Sequence, residues 1–301
     1  MRAHLRANLF LLIFTLLFCS VFYPLVVLGI GQAVFPHKAQ GSLIEVDGKT
    51  IGSELIAQPF HGDEYFQPRP SAANCNGAVS SASNLGASNY QLRERVAQTL
   101  GPIVKFGTRH VRAGEPVGPA VEQWLHDHPQ AVAAWQAAHS DAPGRWLRAD
   151  PGNAKLVKDW RKEGEPTADD VVPFFESLAV KSRKSADEQT AVQSVFFESW
   201  RDAFPDDDLE PVPADMVMSS GSGLDPHITL KSALYQLDRV VEKWAELTGG
   251  DKARIKGEIE SMLDEKVEQP LGGLVAEKLV NVLKINLALH QRYDKEKKAP
   301  Q

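Results

Sequence analysis

The run Leu9 to Ile30, LFLLIFTLLFCSVFYPLVVLGI, constrains this chain more than any other stretch, because it decides which solvent the remaining residues meet. At about 1.5 Å per residue, a helix of this length covers the roughly 30 Å hydrocarbon core of a bilayer. Between Ala7 and His37 there is no Asp, Glu, Lys or Arg, so nothing in the run carries the cost of a formal charge in lipid. Arg2 and Arg6 precede it, and the next basic residue is Lys38. By the positive-inside bias, residues 1–8 lie in the cytoplasm and the main domain lies outside. A cleaved signal peptide is the competing assignment, with Gly31-Gln32-Ala33 as its cleavage site. A signal core, however, has about 7 to 15 apolar residues, and this run is longer, with Tyr23 and Pro24 inside it. A retained transmembrane helix over 9–30 is therefore expected. Pro24 removes a backbone donor and should kink it. Gly29 and Gly31 leave a smooth outer end for a partner helix.

Composition bounds the rest. The hydrophobic fraction of 43% and the charged fraction of 24% are those of an ordinary globular chain. The net charge of −6 becomes more negative once Arg2 and Arg6 are set aside, which disfavours nucleic acid and anionic lipid as partners. Cys19 lies in the span and Cys75 beyond it, so no internal disulfide is expected.

After the span, Ser42 to Val46, the turn Asp47-Gly48 and Lys49 to Ile51 predict a β-hairpin, because Asp-Gly supplies the positive φ of a tight turn. Gly48-Lys49-Thr50 has the tail of a phosphate-binding loop, but Leu43 stands where that motif needs its other glycine. Nor does the order Asp47-Gly48-Lys49-Thr50 match the phosphorylated Asp-Lys-Thr-Gly of P-type pumps. Arg69, between Pro68 and Pro70, is held in an extended backbone suited to a carboxylate or a partner's backbone. Ser88 to Gln91 predicts a capping box for a helix through Leu92, Val96 and Leu100, ended by Gly101-Pro102.

From Gly107 to Glu210 the texture changes. Five of the six tryptophans lie there, and Trp124, Trp135 and Trp146 recur every eleven residues. Pro129, Pro143 and Gly144 would break one long helix, so short helices packed on aromatic residues are expected. His126 and His128 face different sides of a helix and, with His110 and His139, predict solvated histidines and no metal site. Asp206 to Asp208 lacks the glycine and glutamate of a calcium loop. Farther on, Ser220-Gly221-Ser222-Gly223 is a permissive loop, and Thr229 is the expected N-cap of a helix. Its apolar stripe, Leu230, Ala233, Leu234, Leu237, Val240, Val241 and Trp244, would leave Gln236 on the flank and Tyr235 facing away.

These residues carry a resemblance. A span ending in Tyr23-Pro24 is followed by Phe35-Pro36, Gly41-Ser42-Leu43, Tyr65-Phe66, Arg69-Pro70-Ser71-Ala72 and Ser83-Asn84-Leu85-Gly86. Then come Ser219 to Ile228, reading SSGSGLDPHI, and Asn281-Val282-Leu283 through Leu289. The order resembles the C subunit of the bacterial potassium-transporting P-type ATPase, the Kdp complex, over about 1–106 and 211–290. The resemblance implies a single-span accessory subunit of the inner membrane that is no enzyme on its own. It would accompany a channel-like potassium-binding subunit, an ATP-hydrolysing pump subunit and a small hydrophobic subunit. It also implies a role in assembly and as a catalytic chaperone raising the pump's ATP affinity. Nucleotide would then meet Gln236, with Ser222, Gly223, Asp225 and His227 around it. Partner contacts would fall on Pro24, Gly29, Gly31 and Arg69. The positive-inside bias puts Gln236 outside, whereas ATP is cytoplasmic, and near the loop only His227 and Lys231 offer positive charge to ATP.

Ala82 stands where the family usually has Gly, and 107–210 reads as an insertion. The expected fold class is α+β: a single N-terminal transmembrane helix, then an exterior domain (31–106 and 211–290) interrupted by a mostly helical, Trp-rich insertion. A charged tail, 291–301, ends the chain. The rival function is an anchored exterior ligand-binding or enzymatic domain centred on the aromatic-rich insertion.

Overall fold

The computed structural model describes residues 2–60, 62–162, 164–269 and 277–296, so the charged tail lies outside the described residues from 297 onward. It contains two compact units, Met1–Ala82 with Ser219–Gln301, and Ser83–Met218. The chain is mixed helix and strand, in line with the α+β class expected.

In the first unit, α1 (Arg2–Leu17), a π-helical turn (Phe18–Phe22) and α2 (Tyr23–Val34) follow without a break. The 31 residues His4–Val34 are long and apolar enough to cross a membrane. At about 1.5 Å each they reach roughly 46 Å, more than the roughly 30 Å of a hydrocarbon layer. The disturbance expected at Pro24 takes the form of the π-turn: the Tyr23 N–H reaches back to the Phe18 carbonyl, widening the helix just ahead of the ring. Phe10, Phe14, Phe18 and Phe22 stack in a ladder with centroids 6.4, 6.0 and 5.4 Å apart.

A folded joint follows the long helix. The short α3 (Pro36–Ala39) turns back so that a Cβ on Gly31 would lie 3.8 Å from the Ala39 methyl. Ser42, with φ 51°, donates its N–H to the His37 carbonyl, and its own carbonyl accepts from Glu54 N–H at 3.0 Å. The predicted hairpin is present as β1 (Leu43–Val46) and β2 (Lys49–Ser53), with Val46 opposite Lys49. Asp47 (φ 50°) and Gly48 (φ 74°) both adopt the left-handed conformation its tight turn requires.

The rest of this unit is a small antiparallel sheet under three helices. Strand β3 (His227–Thr229) runs straight into α12 (Leu230–Thr248), which is followed by α13 (Lys252–Lys266) and β4 (Val267–Glu268); β5 (Leu279–Asn281) likewise runs into α14 (Val282–Tyr293). The sheet order is β3-β5-β4. The last strand residue caps each following helix: Thr229 accepts from Ser232 N–H, as expected, and Asn281 accepts from Lys284 N–H. Phe66, Trp244, Tyr293, Ile255, Ile259 and Leu289 are fully buried in the core.

The second unit is helical. It comprises α4 (Tyr90–Leu100), α5 (Gly118–Asp127), α6 (Ala131–Ala138), α7 (Ala142–Ala149), α8 (Pro151–Arg161), α9 (Ala168–Val180), α10 (Ala186–Ala203) and α11 (Ala214–Val217). Trp124, Trp135 and Trp146 fall on three separate short helices, as the breakers predict. Trp135 and Trp146 both pack edge-on against Phe175. The cap of α4 differs from expectation: Asn89, one residue beyond Ser88, accepts from Gln91 N–H. Helix α4 packs on α10, and its Ala97 and Leu100 join the core of this unit, whose limits of 83 and 218 are wider than 107–210.

Candidate functional site

The segment Asp63 to Gln67 has a backbone satisfied largely by side chains from two helices of its unit. Asn286 on α14 grips Phe66 at both polar groups: its Oδ1 accepts the Phe66 N–H at 2.8 Å and its Nδ2 donates to the Phe66 carbonyl at 2.9 Å. Gln236 on α12 does the same one residue on, accepting the Gln67 N–H at 2.7 Å and donating to its carbonyl at 3.2 Å. Arg239 donates to the Asp63 and Tyr65 carbonyls at 2.8 and 2.9 Å, and the Trp244 indole donates to Glu64 at 2.8 Å. Burial holds the Arg239 guanidinium below its ordinary value, against the pull of Asp63. A segment with no ladder partner would otherwise strand these groups, at about 1–3 kcal/mol each.

Gln236 therefore faces the core, only 4% exposed, while Leu234 is 48% exposed. Ala233, Leu237, Val240, Val241 and Trp244 of the expected stripe are buried, while Leu234 turns outward and Gln236 takes an inward place beside them. The Gln236 amide has a buried backbone to pair with, and that outweighs the burial of one leucine. The Gln236 Oε1 also accepts from Arg239 at 3.1 Å, so both ends of the amide are engaged within the protein.

The motif residues of the two loops meet. Ser71 Oγ donates to the Gly223 carbonyl at 2.5 Å and accepts the Ala73 and Cys75 N–H groups. The Ser222 carbonyl takes the Ser81 N–H at 3.0 Å and the Ser80 hydroxyl at 3.2 Å, while its own hydroxyl caps Leu224 N–H. Gly223 has φ 70°, and a Cβ there would lie 2.6 Å from the Ser81 carbonyl, so side chains larger than hydrogen are excluded. Ala82, in contrast, is not among the residues with positive φ; Asn84 is, at 51°.

From this junction runs a line of alternating charges. Arg69 reaches Asp225 and the Ser219 carbonyl, each at 3.4 Å. Asp225 accepts both the backbone N–H and the ring Nδ1 of His227, at 3.0 and 3.1 Å. His227 Nε2 lies 3.5 Å from Glu268, which pairs with Lys284 at 3.2 Å; Lys284 pairs with Glu54 at 2.8 Å, and Glu54 lies 3.5 Å from His37. The bond to His227 holds the Asp225 carboxyl below its usual range, and the same bond raises the His227 ring. Lys284 is raised through Glu54, which is lowered in turn.

Arg69, Ser222, Gly223, Asp225 and His227 thus share one neighbourhood, while Gln236 is committed to Gln67 beneath it. Pro24, Gly29 and Gly31 lie in the span, where Gly29 has open space around it and Gly31 faces Ala39. Arg239, Glu268, Lys284 and Asn286 were not anticipated. The clearest signal for one of them was a lone amide, Asn286, between Ile285 and Leu287 in an apolar helix. In the second unit, the His126 ring meets the Ala179 carbonyl, His128 meets that of Trp124, and His110 and His139 stack on Phe106 and Tyr90. A cleft of about 360 Å³ there is lined by Phe106, Trp124, Trp200 and Phe204.

Comparison with known proteins matches both ends of the chain, with bounds that differ from the expected 1–106 and 211–290. Residues 5–118 and 174–291 match the family described as KdpC, K+-transporting ATPase, c chain, leaving 119–173 outside the match. The potassium-transporting ATPase KdpC subunit of Rhodopseudomonas palustris strain TIE-1 is 31% identical over 267 residues, covering 89% of this chain and 86% of that protein. Its namesake in Methylococcus capsulatus is 29% identical, over 95% of this chain and 96% of the relative. That of Caldanaerobacter subterraneus is 28% identical over 97% of each. The match spans most of the chain, and the chain belongs to the KdpC family, the c chain of the K+-transporting ATPase.

Proposed function

We propose that this chain is the non-catalytic accessory subunit of an ATP-driven potassium uptake complex in the bacterial inner membrane. Its span sits in the bilayer with residues 1–8 cytoplasmic, and both units lie outside. Its partners are a channel-like potassium-binding subunit, a P-type pump subunit that hydrolyses ATP and a small hydrophobic subunit. The observation that carries this reading is the family match over both ends of the chain, which includes the span and the junction of Arg69 with Asp225 and His227.

The subunit stabilises the complex and raises the pump subunit's affinity for ATP through assembly. Gln236 serves this as a structural clamp, because both ends of its amide bind the protein itself. Pro24, Gly29 and Arg69 are offered to partners, and 119–173, outside the family match, elaborates the family's domain. In a strain lacking this chain, membranes should lose potassium-stimulated ATP hydrolysis at low ATP and recover it on re-expression. Unchanged hydrolysis at every ATP concentration would refute the role. Calorimetry of the full chain with ATP addresses the nucleotide separately. Micromolar binding abolished by Gln236→Ala would place ATP at Gln236 and displace the clamp reading.

A further inference from the structure

The aromatic cleft of the second unit, about 360 Å³, plays no part in the accessory role. Half-buried Trp124 and exposed Phe204 line it together with buried Phe106 and Trp200. The rings are held in place. His128 stacks on Trp124 at 5.2 Å, and Phe204 lies 5.7 Å from Trp200. Arg201 donates to the Phe204 and Asp207 carbonyls at 3.1 and 2.7 Å, which pins the loop that bears both. Phe106 already has its own neighbours: His110 stacks on it at 4.0 Å, and the Arg112 guanidinium sits 4.8 Å from its centroid while pairing with Glu115 at 2.8 Å. Trp124 and Phe204 are the rings left open to a ligand.

Two carboxylates, Asp127 and Asp207, line the same cleft, and neither has a lysine or arginine partner among the described residues. Asp127 accepts from the Gln123 amide at 3.0 and 3.2 Å. Asp207 has His110 Nε2 at 4.0 Å, too far for a hydrogen bond. A second cleft of this unit, about 290 Å³, is different: there Glu94 is paired with Arg145, and Glu198 and Asp202 with Arg93.

We propose that the aromatic cleft binds a small organic cation of the quaternary ammonium type, at a site independent of the accessory role. Aromatic faces attract positive charge, and the methyl groups of such a cation leave water against them while Asp127 and Asp207 balance its charge. An inorganic cation fits less well, because it exchanges its water for several oxygen ligands and these walls are mostly carbon. An anion would meet two unpaired carboxylates. The volume is that of a small-molecule site. Trp124 and Asp127 lie in 119–173, outside the family match, so the site belongs to this chain's elaboration of the family's domain.

The test uses the full chain labelled with 5-fluorotryptophan, in a polyoxyethylene detergent that carries neither ammonium nor sugar groups. Choline is the probe, and 3,3-dimethyl-1-butanol, of the same shape without the charge, is its control. Fluorine resonances are assigned by single Trp→Phe substitutions. Choline should shift the Trp124 or Trp200 resonance saturably, with a dissociation constant of about 1 mM or tighter, and leave that of Trp244 in the first unit unmoved. The neutral alcohol should bind at least about tenfold more weakly, as should choline to the Asp127→Asn, Asp207→Asn double variant and to Phe204→Ala. Unchanged Trp146 and Trp244 resonances in the unliganded variants establish that they are folded. Weaker or non-saturable binding of choline, equal binding of the alcohol, or full affinity in both folded variants would overturn the site. Tighter binding of phosphocholine than of choline would overturn the free cation in favour of a lipid head.

Discussion

Gln236 and Asn286 act as two rungs under one segment, each engaging one residue's N–H and C=O as a neighbouring strand would. Gln236→Ala strands the Gln67 groups and should cost about 1–3 kcal/mol. Hydrogen exchange read by mass spectrometry should show faster exchange at Phe66 and Gln67, and unchanged protection there would contradict the clamp. The loop glycines should differ. Gly223→Ala combines positive φ with a collision at Ser81 and should destabilise by more than about 1 kcal/mol, whereas Gly221 has open space and should tolerate alanine. The motif around Gln236 was legible in the sequence, but its direction was not. Counting apolar residues puts Leu234 inward, and only a backbone segment distant in sequence reveals why an amide takes that place.

His227 and Asp225 give the same region a pH signature. The His227 pKa is raised in the folded chain, so its contribution is complete below the unfolded value of about 6.5 and disappears as pH rises through the folded value. Asp225 is lowered, so its contribution holds above its unfolded value of about 3.9 and disappears as pH falls through the folded one. Melting measured between weakly acidic and weakly alkaline pH should show stability falling with pH, and His227→Gln should flatten that slope. An unchanged slope in the variant would assign it elsewhere.

At the level of elements, local chemistry was the more readable layer. Asp47-Gly48 forms the hairpin turn, Thr229 caps α12 through its hydroxyl, and Gly249, free of a Cβ and with φ 69°, ends it. Thr229→Ala should therefore cost about 1 kcal/mol, visible as faster exchange at the Ser232 amide. The cap of α4 moved by one residue because Ser88 and Asn89 are both competent, and sequence spacing alone does not rank them. The Pro24 defect was foreseeable, but its repair by a five-residue hydrogen bond was not. The charge line from Arg69 to His37 was hidden because its members come from both ends of the chain, 37–69 and 225–284.

Over the whole molecule, the first unit can be closed without the second. Ser81 N–H bonds the Ser222 carbonyl, so the two chain ends bordering 83–218 lie side by side within their own unit. Replacing 83–218 by a short Gly-Ser linker should leave the first unit folded, since closing a short loop costs little entropy. Cutting at 107 and 210 instead would leave α4 with Ala97 and Leu100 stripped of their core. Protease added to intact spheroplasts should digest both units, and full protection would reverse the proposed orientation. The central claim, that this chain serves a potassium pump as an accessory subunit, is tested most directly by affinity purification of the tagged full chain from detergent-solubilised membranes of potassium-limited cells. The predicted result is co-purification of an ATP-hydrolysing P-type subunit whose hydrolysis is stimulated by potassium; recovery of the chain alone, with no such activity, would contradict it.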